Sequence, residues 1–121
     1  MNITLIFANV GGVPGEPIGL LSIVAYLKAN HHRVQDICVD AKEVSGIDLK
    51  QIESNIAAFR PTIIGFSAVS NQYKYVQIVA AHLKKRFKNI PIIVGGVHAT
   101  LVPEEVLRAG YIKAFREGRL I

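Results

Sequence analysis

The sequence predicts an open, doubly wound α/β sheet, and three observations lead there. Short β-branched runs alternate with helical runs from one end to the other. Several of the short runs are almost continuously apolar, as parallel strands buried on both faces are. The length, 121 residues, suits one hydrophobic core and not two.

The strand-like runs are Ile3–Ala8, Val34–Val39, Thr62–Ser67 and Ile90–Val94, with a weaker fifth at Ile112–Phe115. Pro17 suits a first helical position, and 18-IGLLSIVAYLK-28 is apolar nearly all round. That helix is expected to be largely buried, with Asn30 taking the left-handed position that ends it. The second helix sets Leu49, Ile52, Ile56 and Phe59 at spacings of three and four, and Pro61 stops it. A third begins near Asn71, a good N-cap, and repeats Val76, Val79, Ala80, Leu83 and Phe87 on one face. A fourth opens with Pro103, Glu104 and Glu105 and closes at Gly110. This β-α-β-α-β-α-β-α-β order fits right-handed crossovers and a flavodoxin-like, five-stranded parallel sheet of order 2-1-3-4-5. The usual last helix is missing, so residues 1–121 are read as one domain of a longer chain.

Composition excludes several classes of function. Half the residues are hydrophobic and 19% are charged, the balance of a globular domain. No apolar run approaches the roughly 18 to 20 residues that span a bilayer. The opening MNITLIFANV has no basic region and no cleavage-like site, so a cytoplasmic location is the default. The net charge is +5, but the densest basic stretch, 84-KKRFK-88, ends a predicted helix, where cations meet the negative end of its dipole. No zinc-finger spacing or aromatic ladder accompanies it, so no nucleic-acid partner is expected. The single cysteine, Cys38, excludes an internal disulfide and any cysteine-built cluster, and is read as a small core residue. His31 and His32, at a helix end, are read as structural.

In such sheets ligands lie outside the carboxyl ends of the strands, near the switch between the first and third. Three segments meet there, 9-NVGGVPGEPIG-19, 67-SAVSNQ-72 and 95-GGVHAT-100, all small and polar. Glycine at a strand end lets a ligand approach the backbone and permits positive φ; Gly95-Gly96 read only as a tight turn is the plainer alternative. The spacing 11-GGVPGEPIG-19 is not the GxGxxG of a dinucleotide site, and no P-loop is present. A phosphate-receiving domain needs acids where this chain has Asn9 and Ser67. FMN binding stays open, because irregular loops with hydroxyls serve it.

The stretches 17-PIGLLSIVAYLKANHHRV-34, 63-IIGFSAVSNQ-72 and 93-IVGGVHATLVPEEVL-107 carry a resemblance over nearly the whole chain. It resembles the N-terminal cobalamin-binding domain of cobalamin-dependent radical S-adenosylmethionine enzymes. The GGxHxT loop followed by Pro-Glu-Glu is the most specific mark. Of the family's Gly-Glu-Gly-Glu junction, 115-FREGRL-120 keeps only Glu117 and Gly118.

The resemblance implies that cobalamin's nucleotide tail enters at the C-terminal edge of the sheet, against Asn9, Gly19, Ser67, Val69, Ser70, Asn71, Gly95 and Gly96. Aligning the DxHxxG motif of the wider fold on Gly19 puts Pro14 at the aspartate and Glu16 at the histidine. Both depart from the motif, so the expected complex is base-off, with no protein histidine below cobalt. His98 is read as a contact to the cofactor's phosphate or amide groups, or to a following domain. Cobalt ligation by His98 and a locally hydrogen-bonded loop histidine are the alternatives. No residue is assigned as catalytic or as a metal ligand.

In the parent protein the resemblance implies a methyltransferase or related enzyme. Its downstream radical domain would hold an iron–sulfur cluster and S-adenosylmethionine. Self-association of the fragment is expected, with Ile112, Ala114 and Phe115 partly uncovered. A flavodoxin-like FMN or nucleotide-binding module, and a degenerate interdomain domain, are the competing readings.

Overall fold

The computed structural model describes residues 1–12, 18–96, 101–108, 112–116 and 119–120. Its strands are β1 (Asn2–Val10), β2 (Arg33–Ala41), β3 (Ile63–Ser67), β4 (Ile92–Gly95), β5 (Ile112–Arg116) and β6 (Arg119–Leu120). They lie in the order β2-β1-β3-β4-β5-β6. The first four are parallel and follow the 2-1-3-4 order of a flavodoxin-like fold. β5 runs parallel to β4, and β6 turns back antiparallel along β5. The expected parallel order is found, and the correction is an added antiparallel edge strand, β6. Parallel neighbours need a crossover of roughly a dozen residues, so segments as close as β5 and β6 can pair only antiparallel.

The helices are α1 (Ile18–Ala29), α2 (Leu49–Phe59), α3 (Tyr73–Arg86) and α4 (Pro103–Leu107). Asp48 starts α2 by accepting a hydrogen bond from Gln51 N at 3.0 Å. Arg60 ends it in the left-handed conformation, φ 58°, just before Pro61. Two expected caps are corrected. Asn30 follows the last residue of α1 and its side chain returns to Tyr26 O at 2.9 Å, and His31 takes the left-handed position, φ 68°. Asn71 lies inside a 3-10 turn, Ser70–Gln72, and the residue before α3 is Gln72.

Alternation along the strands sends Ile6, Ala8, Ile64, Phe66, Ile92 and Val94 into one core. Ile52 and Ile56 of α2, Val76, Val79 and Leu83 of α3 and Val106 of α4 complete it. Each Val, Ile, Leu or Phe among them contributes roughly 1.5–3 kcal/mol on burial. The buried hydroxyl of Thr4 donates to Gln35 Oε1 at 2.9 Å, and Gln35 Nε2 donates to Asn55 O at 3.0 Å. That relay keeps the polar group satisfied.

The other face is barely covered. It carries Leu5, Phe7, Ile63, Gly65, Ser67, Ile93 and Gly95, all half-buried. Only α1 lies on it among the described elements, against β1 and β2. Leu20 and Val24 are buried, but Ile23 is 51% and Tyr26 69% exposed, so the expectation of a largely buried α1 is corrected. Its apolar faces outnumber the surfaces available to cover them. Cys38 is exposed, not a core residue, because β2 is the edge strand of the sheet.

Candidate functional site

The carboxyl edge is built by three strand exits. At the end of β1, Gly11 adopts φ 74° and its N–H bonds Ala41 O at 2.7 Å. A Cβ on Gly12 would run into Asn9 Oδ1, so the Asn9 side chain lies over Gly12. At the end of β4, Ala68 N donates to Gly95 O at 2.9 Å. Gly96 follows with φ 96°, and a Cβ there would stand 2.8 Å from Ala68 O and 3.0 Å from Ala68 N. Two backbones therefore touch at Gly96. The place a Cβ would take is filled by the chain itself, which makes glycine a requirement of the fold at this position.

A groove of about 730 Å³ opens beside this contact and runs along the uncovered face of the sheet. Leu5, Phe7, Ile63, Gly65 and Ile93 form its floor, and Leu20, Ile23 and Leu27 of α1 form one wall. Ser67, Val69, Gly95, Gly96 and Gly19 line its upper end. The structure thus joins five of the residues picked out from sequence. Asn9 stands apart over Gly12, Asn71 is exposed on the 3-10 turn with Ser70, and Pro14, Glu16 and His98 lie outside the described residues. No charged side chain lines the groove among the described residues. A smaller, polar notch of about 300 Å³ sits higher on the edge, at Gly11, Gly12, Asp40, Ala41 and Lys42.

Two residues of the site escaped the sequence reading. Gly65 has no side chain in the middle of β3, which deepens the floor; a Cβ there would meet Leu5 Cδ2 at 3.0 Å. An isolated glycine inside 63-IIGFS-67 was the available signal. Gln72 is 7% exposed and holds the last residue of β1 by both backbone groups. Leaving either backbone group of Val10 buried without a partner costs about 1–3 kcal/mol. Nothing local in sequence marks a glutamine for that contact.

On the back of the sheet, Glu53 of α2 accepts from Arg86 Nε at 2.8 Å and meets His82 Nε2 at 2.9 Å, both on α3. The hydrogen bond from His82, then the Arg86 guanidinium, hold the Glu53 carboxyl below its ordinary value, against some desolvation. This is a tie between helices, remote from the groove. Among the described residues no group of three or more His, Cys, Asp or Glu is arranged to hold a metal ion, and no helix is long and apolar enough to cross a membrane.

A family model described as the B12 binding domain matches residues 3–121. The chain belongs to that family. This B12 binding domain is 29% identical, over 100 residues, to an uncharacterized methyltransferase of Pyrococcus horikoshii, covering 83% of the domain and 21% of that protein. Its backbone resembles the cobalamin-dependent S-adenosylmethionine radical enzyme OxsB with aqua-cobalamin bound, with TM-score 0.78 and 24% identity. That match covers 93% of the domain and 16% of OxsB. A cobalamin-binding protein from Desulfitobacterium hafniense is similar at TM-score 0.64 and 21% identity, over 94% of the domain and 52% of that chain. At these identities the solved structures establish the fold alone. The B12 binding domain spans only 21% of the methyltransferase and 16% of OxsB.

Proposed function

We propose that this domain is a cobalamin carrier within a longer chain, and that the groove takes the cofactor's nucleotide tail. The observation that carries the reading is an apolar slot opening at the strand-end edge of a B12 binding domain. The residues fit such a group. The volume lies within the roughly 300–1,000 Å³ of small-molecule pockets, and an apolar floor suits a benzimidazole base. Leu5, Phe7 and the bare Gly65 would lie under the base, and Ser67 would offer a hydroxyl to it. The corrin would remain outside, over the edge. When bound, cobalamin supplies the organometallic chemistry of its cobalt; the protein supplies binding and orientation.

The binding mode we infer is base-off, without a protein histidine below cobalt, because Glu16 stands where the wider fold has histidine. The parent's reaction is inferred to be methyl transfer or a related radical step. An iron–sulfur cluster and S-adenosylmethionine would be held by a downstream domain.

The test is a titration with hydroxocobalamin followed by visible absorption, with FMN run in parallel. Saturable cobalamin binding without a histidine-ligated spectrum is expected. Binding of FMN with no response to cobalamin would defeat the reading in favour of a flavin module.

A further inference from the structure

At the ligand edge β1 outruns β3. Pairing of β1 with β3 ends at Phe7 and Ser67, whereas pairing with β2 continues to Val10 and Ala41. Among the described residues no strand flanks β1 on its β3 side beyond Phe7. Gln72 takes that place. Val10 N donates to Gln72 Oε1 at 2.8 Å, and Gln72 Nε2 donates to Val10 O at 3.1 Å, both bonds buried. A carboxamide carries the donor and acceptor of a peptide unit, so one side chain completes the rung that β3 leaves open.

The backbone of Gln72 is itself held on two sides. Its N–H bonds Val69 O at 3.0 Å, and the next residue, Tyr73, is 2% exposed in the core. Val69 lines the groove, and Val10 leads into the segment that carries Pro14 and Glu16.

We propose that Gln72 is a positioning residue for cobalamin. It joins the exit of β1 to the turn after β3, so that two of the three strand exits at the ligand edge are ordered before the cofactor arrives. The inference rests on the cobalamin reading and adds the residue that pre-organises its site. Ordering loops in advance removes an entropic cost from binding, so losing the joint weakens affinity in protein that is still folded.

The test compares wild type with Gln72→Met, which keeps length and volume but offers neither bond. Affinity for hydroxocobalamin is measured where circular dichroism shows both proteins fully folded. Under that condition a residue serving stability alone leaves Kd unchanged. The expected result is a Kd raised about tenfold, with faster hydrogen exchange at the Val10 amide. An unchanged Kd overturns the proposal.

Should Gln72→Met not fold, wild type still decides the matter by NMR. The Gln72 carboxamide protons should exchange far more slowly than those of Gln51, which lie on the surface, and should shift together with Val10 N–H on adding hydroxocobalamin. Exchange as fast as Gln51, or a cobalamin response confined to one of the two, overturns it. A wild type that binds no cobalamin is a different result. It removes the functional reading, whereas binding with an unaltered Gln72→Met removes only the joint.

Discussion

At Gly65 an added Cβ would crowd Leu5 Cδ2, at 3.0 Å, the tip of a side chain that can turn away, and would stand at an ordinary 4.0 Å from Thr4 O. Gly65→Val is therefore expected to fold with a melting temperature near wild type while narrowing the groove. Cobalamin affinity should fall about tenfold, or about 1.4 kcal/mol, in a spectroscopic titration. Gly96 behaves differently, because both its φ of 96° and the Ala68 backbone oppose a side chain. Gly96→Val should lose roughly 1–3 kcal/mol to backbone strain before any clash is counted, read as a lower urea midpoint. A Gly96→Val protein as stable as wild type would show that the edge relaxes more easily than its contacts imply. His98→Ala should leave the spectrum of bound cobalamin unchanged if no protein histidine lies below cobalt. Loss of a histidine-ligated spectrum in that variant would reassign His98 as the ligand. The paired glycines could be read from sequence as significant, but not the partner they approach. That partner is Ala68, 28 residues away in sequence (96 − 68), and only the β3–β4 register brings it near.

Among the elements, α2 is held at its start by one side chain and at its flank by another. Asp48→Ala removes the acceptor for Gln51 N and should cost about 1 kcal/mol in chemical denaturation. Glu53 is the flank. Its carboxyl is held below the ordinary value of 4.5 in the folded protein, chiefly by the hydrogen bond from His82. A depressed carboxylate pKa adds stability above the unfolded value, and that stability is lost as pH falls through the folded value. Glu53→Gln should accordingly be less stable than wild type at neutral pH, with the difference closing on acidification below 4.5. A difference that persists unchanged to low pH would point to packing rather than charge. These elements were readable because Leu49, Ile52, Ile56 and Phe59 repeat at helical spacing and Pro61 forbids continuation. The ends of α1 and α3 were less readable. Asn30 and Asn71 both satisfy a capping preference, but Asn30 bonds locally to Tyr26 O and leaves the left-handed position to His31, while tertiary bonds to Val10 hold Gln72 before α3.

At the scale of the whole molecule, one face of the sheet is packed and the other is open among the described residues. The open face lies over the central strands, at Leu5, Phe7, Ile63 and Ile93, and continues onto Ile23. Uncovered apolar surface had been expected at Ile112, Ala114 and Phe115, whose side chains lie outside the described residues. The sequence could say that buried parallel strands need cover on both sides, because 3-ITLIFA-8 and 63-IIGF-66 are apolar without alternation. It could not say which strands α1 would leave bare, since that depends on the angle at which the helix lies. We expect the isolated chain to self-associate through this face, and Ile23→Glu, at a position already 51% exposed, to return it to monomer in sedimentation velocity. A chain extended by the downstream sequence of its relatives should remain monomeric and bind cobalamin more tightly. Monomeric behaviour of the wild type at high concentration, with affinity equal to the longer chain, would mean that the open face needs no cover.

The uneven lengths of the strand pairings have one more consequence. β1 and β2 continue together to Val10 and Ala41, while β3 and β4 stop level at Ser67 and Gly95. Measured along β1, from Phe7 opposite Ser67 to Val10, the difference is three residues, or about 10 Å at the rise of a strand. Among the described residues the paired strand ends therefore form a stair, with β3 and β4 low, β1 and β2 high, and Gln72 seated against the step at Val10. A flat macrocycle set over the ends of β3 and β4 would find Val10 and its Gln72 joint standing above it on one side.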